Sequence, residues 1–181
     1  MKLIILDRDG VINQDSDQFI KSPAEWLPLP GAAEAIARLN QAGYRVAIAT
    51  NQSGLGRGLF DMAALNAIHD KLHRVVGEQG GRIDAIFFCP HLPEDNCACR
   101  KPKPGMLEDL GRRFNTDLRT TAFVGDTLHD LQAAAAVGAQ PILVKTGKGQ
   151  RTLDKYGENN LVGGVLIFDD LAAVATHLAA G

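Results

Sequence analysis

The sequence predicts an α/β protein of three layers, in which a doubly wound, mainly parallel sheet lies between helices on both faces. Short apolar segments alternate with helical ones along the chain, which is the order that crossovers between parallel strands produce. The 181 residues are close to the size of one domain, and 45% of them are hydrophobic, which is enough for a buried core. We therefore expect one domain over residues 1–181 and no large cap domain.

The first predicted element is the apolar strand Lys2–Leu6, whose composition is typical of a central parallel strand. Residues 32–42 are predicted as a helix, because Ile36 and Leu39 share one face and Gly43 follows the end. The pattern then predicts a strand over residues 44–49, a helix over 62–76 and a strand over 83–88.

The second half of the chain continues the alternation. Helices are predicted over residues 106–114, 128–137 and 171–178, and strands over 122–124, 141–144 and 165–168. Residues 147–164 are polar and are predicted to include loop. Because ligands of such folds bind at the carboxyl ends of the parallel strands, polar motifs that follow different strands are expected to meet at one edge of the sheet.

The charge and apolar patterns exclude several partner classes. The formal net charge is −2, and no run of lysine or arginine suggests a nucleic-acid partner. No segment approaches the roughly 18 apolar residues of a membrane-spanning helix, so no membrane partner is expected and a cytoplasmic location is predicted. The three cysteines all lie between residues 89 and 99, which fits reduced thiols or a metal site better than a disulfide framework.

An acidic motif, Asp7-Arg8-Asp9-Gly10-Val11, follows the first strand directly. Residues two apart in an extended chain point the same way, so the Asp7 and Asp9 carboxylates can face one ligand. On its own, the motif could also be an ordinary polar turn or a calcium loop, although later calcium ligands are not convincingly present.

Three further motifs decide between these interpretations. They are Thr50-Asn51 after the second strand, Lys101 before a helix, and Gly125-Asp126 after a later strand. In this order the four motifs closely resemble the signature motifs of the haloacid dehalogenase phosphatases, and the resemblance spans almost the whole chain. It implies a Rossmann-like fold and a magnesium-dependent phosphatase that forms a phosphoaspartate.

The resemblance also implies a role for each matching residue. Asp7 is the expected nucleophile, and the Asp9 side chain is the expected general acid and base. Mg²⁺, which prefers oxygen ligands, would be bound by the Asp7 carboxylate, the Asp9 backbone carbonyl and the Asp126 carboxylate. Thr50 and Lys101 are expected to stabilise the transferring phosphoryl group.

Asp130 lies one helical turn beyond Asp126. It could support the metal site, but an aspartate that interacts with the dipole at a helix start is an equally good interpretation. Asp130 is therefore not counted among the expected catalytic residues.

A second cluster consists of Cys89, His91, Cys97 and Cys99, four soft or borderline ligands within eleven positions. Their number and type match a closed tetrahedral zinc site, which would be structural and would hold the loop that carries Arg100 and Lys101. The alternative is three reduced cysteines that happen to lie beside a surface histidine.

Within the superfamily, the acidic motif, Thr50-Asn51-Gln52-Ser53-Gly54, the zinc loop and Cys99-Arg100-Lys101-Pro102 resemble the D-glycero-D-manno-heptose-1,7-bisphosphate 7-phosphatase family. Members of that family make heptose monophosphate for nucleotide-activated heptose, a precursor of the lipopolysaccharide core, and generally work as monomers. The resemblance implies a sugar bisphosphate substrate, with the distal phosphate bound by Arg100. The implied substrate-binding residues are Asp15, Ser16, Asp17, Gln18, Asn51, Gln52, Ser53 and Arg100.

Three alternatives remain open from the sequence. Histidinol-phosphate phosphatases share the acidic motifs and a similar zinc loop. A DNA-end phosphatase is disfavoured by the charge balance and by the lack of a basic, aromatic-rich groove. A zinc-stabilised binding module without activity would have to lack catalytic residues that are all present here.

Overall fold

A computed structural model describes residues 1–180, which form a six-stranded sheet and seven α-helices. The strands are β1 (Lys2–Leu6), β2 (Tyr44–Asn51), β3 (Ala85–Cys89), β4 (Ala122–Gly125), β5 (Gln140–Val144) and β6 (Leu166–Phe168). The helices are α1 (Ala32–Gln41), α2 (Ser53–Gly56), α3 (Met62–Glu78), α4 (Gly105–Arg113), α5 (Leu128–Ala136), α6 (Gly149–Tyr156) and α7 (Leu171–Ala179). None of these helices is both long enough and apolar enough to cross a lipid bilayer.

The strand order is β3-β2-β1-β4-β5-β6, and every neighbouring pair in it is parallel. The chain therefore winds outward from β1 in one direction and from β4 in the other. The loops that leave β1 and β4 diverge to opposite faces of the sheet, which opens a crevice at their carboxyl ends. The predicted doubly wound α/β fold is confirmed, and its sheet is entirely parallel.

Both faces of the sheet are buried. On β1, Ile4 and Leu6 face a core that includes α1, α3 and α7, whereas Leu3 and Ile5 face a second core that includes α4 and α5. Four successive apolar residues, Leu3 to Leu6, that point alternately to the two faces are what a sheet with two covered faces requires. The central strand is thereby fixed rigidly, and so is the residue that follows it, Asp7.

The short helix α2 (Ser53–Gly56) was not predicted, and two further stretches differ from the prediction. Strand β2 extends to Asn51, so Thr50 and Asn51 are its last two residues rather than the start of a loop. The polar stretch 147–164 contains α6, a helix with only two buried residues, Gly149 and Thr152. The weak apolar signal of that helix explains why its sequence resembles a loop.

Candidate active site

A cavity of about 210 Å³ lies at the crevice between β1 and β4. Asp7 follows β1, Asp126 follows β4, and Asn51 ends β2, so the acidic and amide motifs meet at one edge of the sheet, as predicted. The cavity is lined by Asp7, Asp9, Asp15, Ser16, Phe19, Ile20, Asn51, Gln52, Ser53, Arg100, Lys101, Asp126, Thr127, His129, Asp130 and Lys148.

Lys101 is the buried cation of the site, with 2% of its surface exposed. Its Nζ lies 3.1 Å from Asp7 Oδ1 and 2.7 Å from Asp130 Oδ1, and it donates to the Ala49 carbonyl oxygen at 2.8 Å. Although burial lowers the pKa of Lys101, the carboxylates of Asp130 and Asp7 outweigh it and hold the pKa above its usual value. The ammonium is therefore a fixed positive charge beside Asp7, where the sequence predicted one.

Asp130 is used to hold its neighbours. Its Oδ2 accepts from the Asp126 backbone N–H at 3.1 Å and from the Thr127 hydroxyl at 3.1 Å, while its Oδ1 pairs with Lys101. Thr127 and Asp130 form a capping box at the start of α5. Asp130 thus caps the start of α5 and also holds the backbone of the loop that carries Asp126.

The carboxylates of Asp7, Asp126 and Asp130 form a tight cluster, with one oxygen from each within 4.8 Å of the others. Burial, and then the negative charge of Asp130, raise the pKa of Asp7 well above its usual value and the pKa of Asp126 to about 8. A divalent cation would relieve both effects, since it favours the charged form of each carboxylate. The oxygen-only set fits magnesium. Both oxygens of Asp130 pair with protein donors, whereas Asp7 pairs through Oδ1 and Asp126 through Oδ2, so each of these two side chains keeps its other oxygen for a metal.

The approach of Gly10 to Asp126 shows why the acidic motif contains a glycine. Gly10 has φ +84°, and a Cβ at this position would lie 2.0 Å from Asp126 Oδ2. The same oxygen accepts from the Lys148 backbone N–H at 2.9 Å. Only a glycine can bring the β1 loop this close to the β4 loop.

Asp9 is held by four donors that are spread unequally over its two oxygens. Oδ1 accepts from Arg8 Nη2 at 2.8 Å, Arg8 Nε at 3.0 Å and Asn13 Nδ2 at 2.9 Å, whereas Oδ2 accepts from Gln52 Nε2 at 3.1 Å. Burial raises the pKa of Asp9, but the Arg8 charge and these hydrogen bonds outweigh it and leave the pKa below its usual value. The Asp9 carboxyl is therefore well oriented, and Oδ2 is its less occupied oxygen.

Residues at and just after the end of β2 provide the side-chain amide groups that line the cavity. Thr50 is buried, and its hydroxyl accepts from Gln52 Nε2 at 2.9 Å. Asn51 clamps the Lys101 backbone on both sides, donating to its carbonyl oxygen at 3.1 Å and accepting from its N–H at 3.0 Å. Asn51, Gln52 and Ser53 line the cavity themselves.

The predicted substrate-contacting segment, residues 15–18, divides into two parts. Asp15 and Ser16 line the cavity, whereas Asp17 and Gln18 are exposed and lie outside its lining among the residues that the structure describes. Asp15 also lies 3.4 Å from Lys148 Nζ, which links the β1 loop to the loop after β5. Lining residues absent from the sequence prediction include Phe19, Ile20, His129 and Lys148, whose place depends on contacts between distant loops.

The four predicted zinc ligands come together at the end of β3. Cys97 Sγ lies 3.6 Å from Cys89 Sγ and 3.7 Å from Cys99 Sγ, and His91 Nδ1 lies 3.4 and 3.3 Å from the sulfurs of Cys89 and Cys99. Cys89 and Cys99 are closer, at 2.8 Å, which is still longer than the roughly 2.05 Å of a disulfide bond.

The ligand types of this cluster and two of its three sulfur separations fit zinc, whereas the 2.8 Å between Cys89 and Cys99 is shorter than a zinc site requires. Zn–S bonds of about 2.3 Å in a tetrahedron would separate the sulfurs by roughly 3.7 Å. Although burial raises the pKa of Cys97, the Arg100 backbone N–H and the Cys89 thiol lower it to about 6, and burial raises the pKa of Cys89 to about 12. A bound Zn²⁺ would deprotonate both thiols, since the thiolate is the ligand.

Comparisons with known proteins identify the family of the chain. A family model described as haloacid dehalogenase-like hydrolase matches residues 3–138. The chain is 61% identical to the D-glycero-beta-D-manno-heptose-1,7-bisphosphate 7-phosphatase of Bordetella bronchiseptica, covering 98% of each chain, and 59% identical to that of Pseudomonas aeruginosa, covering 97% of each.

Solved structures give the same result. The crystal structure of D,D-heptose 1,7-bisphosphate phosphatase from B. bronchiseptica, complexed with magnesium and phosphate, superposes with a TM-score of 0.96 at 60% identity and 99% coverage of both chains. The corresponding enzyme of Burkholderia thailandensis superposes with a TM-score of 0.80 at 51% identity and full coverage of both chains. The chain therefore belongs to the haloacid dehalogenase-like hydrolases and, among them, to the family of D-glycero-beta-D-manno-heptose-1,7-bisphosphate 7-phosphatases.

Proposed function

We propose that this chain is a magnesium-dependent phosphatase that removes the 7-phosphate of D-glycero-beta-D-manno-heptose 1,7-bisphosphate through a phosphoaspartate on Asp7. The observation that carries the proposal is the buried cluster of Asp7, Asp126 and Lys101 at the crevice, in a chain 60% identical to a heptose bisphosphate phosphatase crystallised with magnesium and phosphate. The printed names of the most similar relatives favour the beta anomer.

In the first half-reaction, an Asp7 carboxylate oxygen attacks phosphorus and the bond between phosphorus and the sugar oxygen breaks. The leaving oxygen takes a proton from Asp9, which becomes a carboxylate. The bound phosphoryl group brings negative charge beside Asp9, and this charge raises the pKa of the acid while substrate is present. The proton is transferred from Oδ2, because Oδ1 already accepts from three donors.

In the second half-reaction, water attacks the phosphorus of the phosphoaspartate and gives a proton to Asp9. The bond between phosphorus and Asp7 breaks, which releases inorganic phosphate and restores the Asp7 carboxylate. Lys101, fixed 3.1 Å from Asp7 Oδ1, and the Thr50 hydroxyl stabilise the negative charge of the phosphoryl oxygens in both transition states.

Magnesium would be held by the carboxylates of Asp7 and Asp126 and by the backbone carbonyl of Asp9. When bound, it supplies positive charge that reduces the repulsion between the nucleophile and the phosphate monoester. Asp130 and Lys148 keep the Asp126 loop in place for this role, through the Asp126 backbone N–H and Oδ2 respectively.

The cluster of Cys89, His91, Cys97 and Cys99 would hold a structural zinc ion. Its role would be to fix the loop that carries Arg100 and Lys101, because the Arg100 backbone N–H donates to Cys97 Sγ at 3.4 Å. Arg100 lines the cavity and its guanidinium donates to the His91 carbonyl oxygen at 3.3 Å, which supports a role for it in binding the distal phosphate of a bisphosphate.

The sugar would lie along the wall formed by the β1 loop and the end of β2. Asp15 and Ser16 line that wall beside Asn51, Gln52 and Ser53, which favours a compact polar substrate. We infer a single domain over residues 1–181 that acts as a monomer in the cytoplasm, without nucleic-acid or membrane partners, and supplies heptose phosphate for lipopolysaccharide biosynthesis.

The test is steady-state phosphate release with Mg²⁺ for both anomers of heptose 1,7-bisphosphate and for histidinol phosphate, with the position of the remaining phosphate read by NMR. We expect kcat/KM for the beta anomer to exceed that for histidinol phosphate by about 10³-fold or more, because specificity is a ratio of kcat/KM values. Preference for histidinol phosphate would leave the chemistry intact and overturn the substrate.

A further inference from the structure

Arg8, the residue between the two aspartates of the acidic motif, is buried with 0% of its surface exposed. A guanidinium is almost never fully buried unless its donors and its charge are matched. Residues 7 and 9 have assigned roles in the chemistry, but nothing in the proposed reaction uses Arg8 directly.

The partners of Arg8 lie on two sides of its guanidinium. Nε and Nη2 both donate to Asp9 Oδ1, at 3.0 and 2.8 Å, and Nη1 lies 3.1 Å from Nε2 of His69. Because a guanidinium has only donors, Nε2 of His69 must accept, so the ring proton is on Nδ1. His69 thus supplies the acceptor on the side away from Asp9.

His69 lies on α3, 61 positions further along the chain, and only 9% of its surface is exposed. Its helix neighbours Ile68 and Leu72 are fully buried in the core between α3 and the sheet, so its backbone is fixed. Burial, and then the charges of Arg8 and His73, lower the pKa of His69 to about 4. The imidazole is therefore neutral near pH 7, and Nε2 keeps its lone pair for Arg8.

The arrangement determines which oxygen of Asp9 can exchange a proton. Arg8 and Asn13 occupy Oδ1 with three hydrogen bonds, whereas Oδ2 has a single donor, Gln52, and so keeps lone-pair capacity. If the guanidinium rotated away, the carboxyl would lose the contacts that define its orientation.

We propose that His69 is a positioning residue of the phosphatase: by accepting from Arg8 Nη1 it fixes the guanidinium against Asp9 Oδ1 and so orients Asp9 Oδ2 for proton transfer. The inference rests on the proposed role of Asp9 as general acid and base. It adds a residue from a distant helix that touches neither substrate nor metal.

The first experiment compares His69→Leu, His69→Gln and the control His73→Gln, which changes an exposed histidine one turn along the same helix. We expect His69→Leu to lower kcat for heptose bisphosphate by about 10- to 100-fold with KM within about threefold, part of the 10²- to 10⁴-fold that a general acid contributes. His69→Gln, whose amide oxygen can accept from Arg8, should recover kcat to within about threefold of the wild type. Equal loss in both His69 variants, or no loss in either, would overturn the proposal.

A double-variant cycle separates positioning of Asp9 from a general effect on folding. In an Asp9→Asn background, measured by single-turnover phosphate release, His69→Leu should lower the rate by no more than about twofold, because residues that act through one another are not additive. Additive losses would show that His69 acts without Asp9 and would refute the inference. Full activity of Asp9→Asn alone would instead contradict the proposed function, so the two failures are distinguishable.

Discussion

The acidic site and the cysteine cluster both follow the carboxyl ends of strands, yet the fold holds them in different ways. Each carboxylate of the acidic site has a protein partner: Lys101 for Asp7, Arg8 for Asp9, and the Lys148 backbone N–H for Asp126. In the cysteine cluster the donor atoms contact mainly one another. The acidic site is thus arranged by the fold before any metal binds, whereas the cysteine cluster is a set of ligands that a metal would complete.

The substitution Asp7→Asn should have the largest effect on kcat and little effect on folding. It removes the nucleophile, so we expect kcat to fall on the order of 10⁴-fold or more. Because the amide keeps the shape of the carboxyl group and the cysteine cluster is not touched, zinc content and thermal stability should stay close to wild type. Phosphate release in a burst and in steady state measures the fall in kcat. Zinc analysis and thermal unfolding of the same sample measure the zinc content and the thermal stability.

The matched control is Asp109→Asn, the same change at an exposed residue of α4 whose Arg112 partner is also exposed. It should leave kcat unchanged, since exposed ion pairs contribute little. An Asp7→Asn enzyme with full activity would refute the phosphoaspartate mechanism.

The substitution Cys99→Ser should have a smaller and different effect. Cys99 contacts both Cys89 and His91, so its loss is expected to abolish zinc binding and to loosen the loop before Lys101. We expect kcat/KM to fall only about 10- to 100-fold, because the Asn51 clamp still holds the Lys101 backbone from the other side.

The control is the wild-type enzyme treated with a zinc chelator. It should show the same loss and recover with added Zn²⁺, whereas Cys99→Ser should not recover. Retention of one zinc per chain by the variant would contradict the assignment of Cys99 as a ligand.

The comparison also shows which features can be predicted from sequence. The apolar strand Lys2–Leu6 and the residues that follow it could be predicted because strand burial and motif order are local properties. The cysteine cluster was predicted as a group for the same reason, since its members lie within eleven positions. Local sequence patterns therefore predict directly which residues lie at the end of each strand.

Long-range contacts could not be predicted in this way. Lys148 reaches the site because α6 brings its backbone N–H to Asp126, and a helix with two buried residues leaves little apolar pattern. Arginine is usually a surface residue, but Arg8 is buried and its Nη1 lies 3.1 Å from Nε2 of His69 on α3. The supporting contacts of the acidic site are made by residues far apart in the chain, and only the folded structure brings them together.

The smallest expected effect concerns pH and tests whether the folded protein keeps His69 in its neutral form. The folded pKa of His69 is lowered from 6.5 to about 4, first by burial and then by Arg8 and His73, with a small opposing effect of Asp9. A histidine with a lowered pKa contributes stability above pH 6.5, and this stability is lost as the pH falls towards 4, because the unfolded chain binds the proton first. The loss is at most about 3 kcal/mol by the linkage relation.

The free energy of unfolding in urea should therefore fall more steeply between pH 6.5 and 4 in the wild type than in His69→Gln. Parallel curves for the two proteins would show that the pKa of His69 is not lowered in the folded protein.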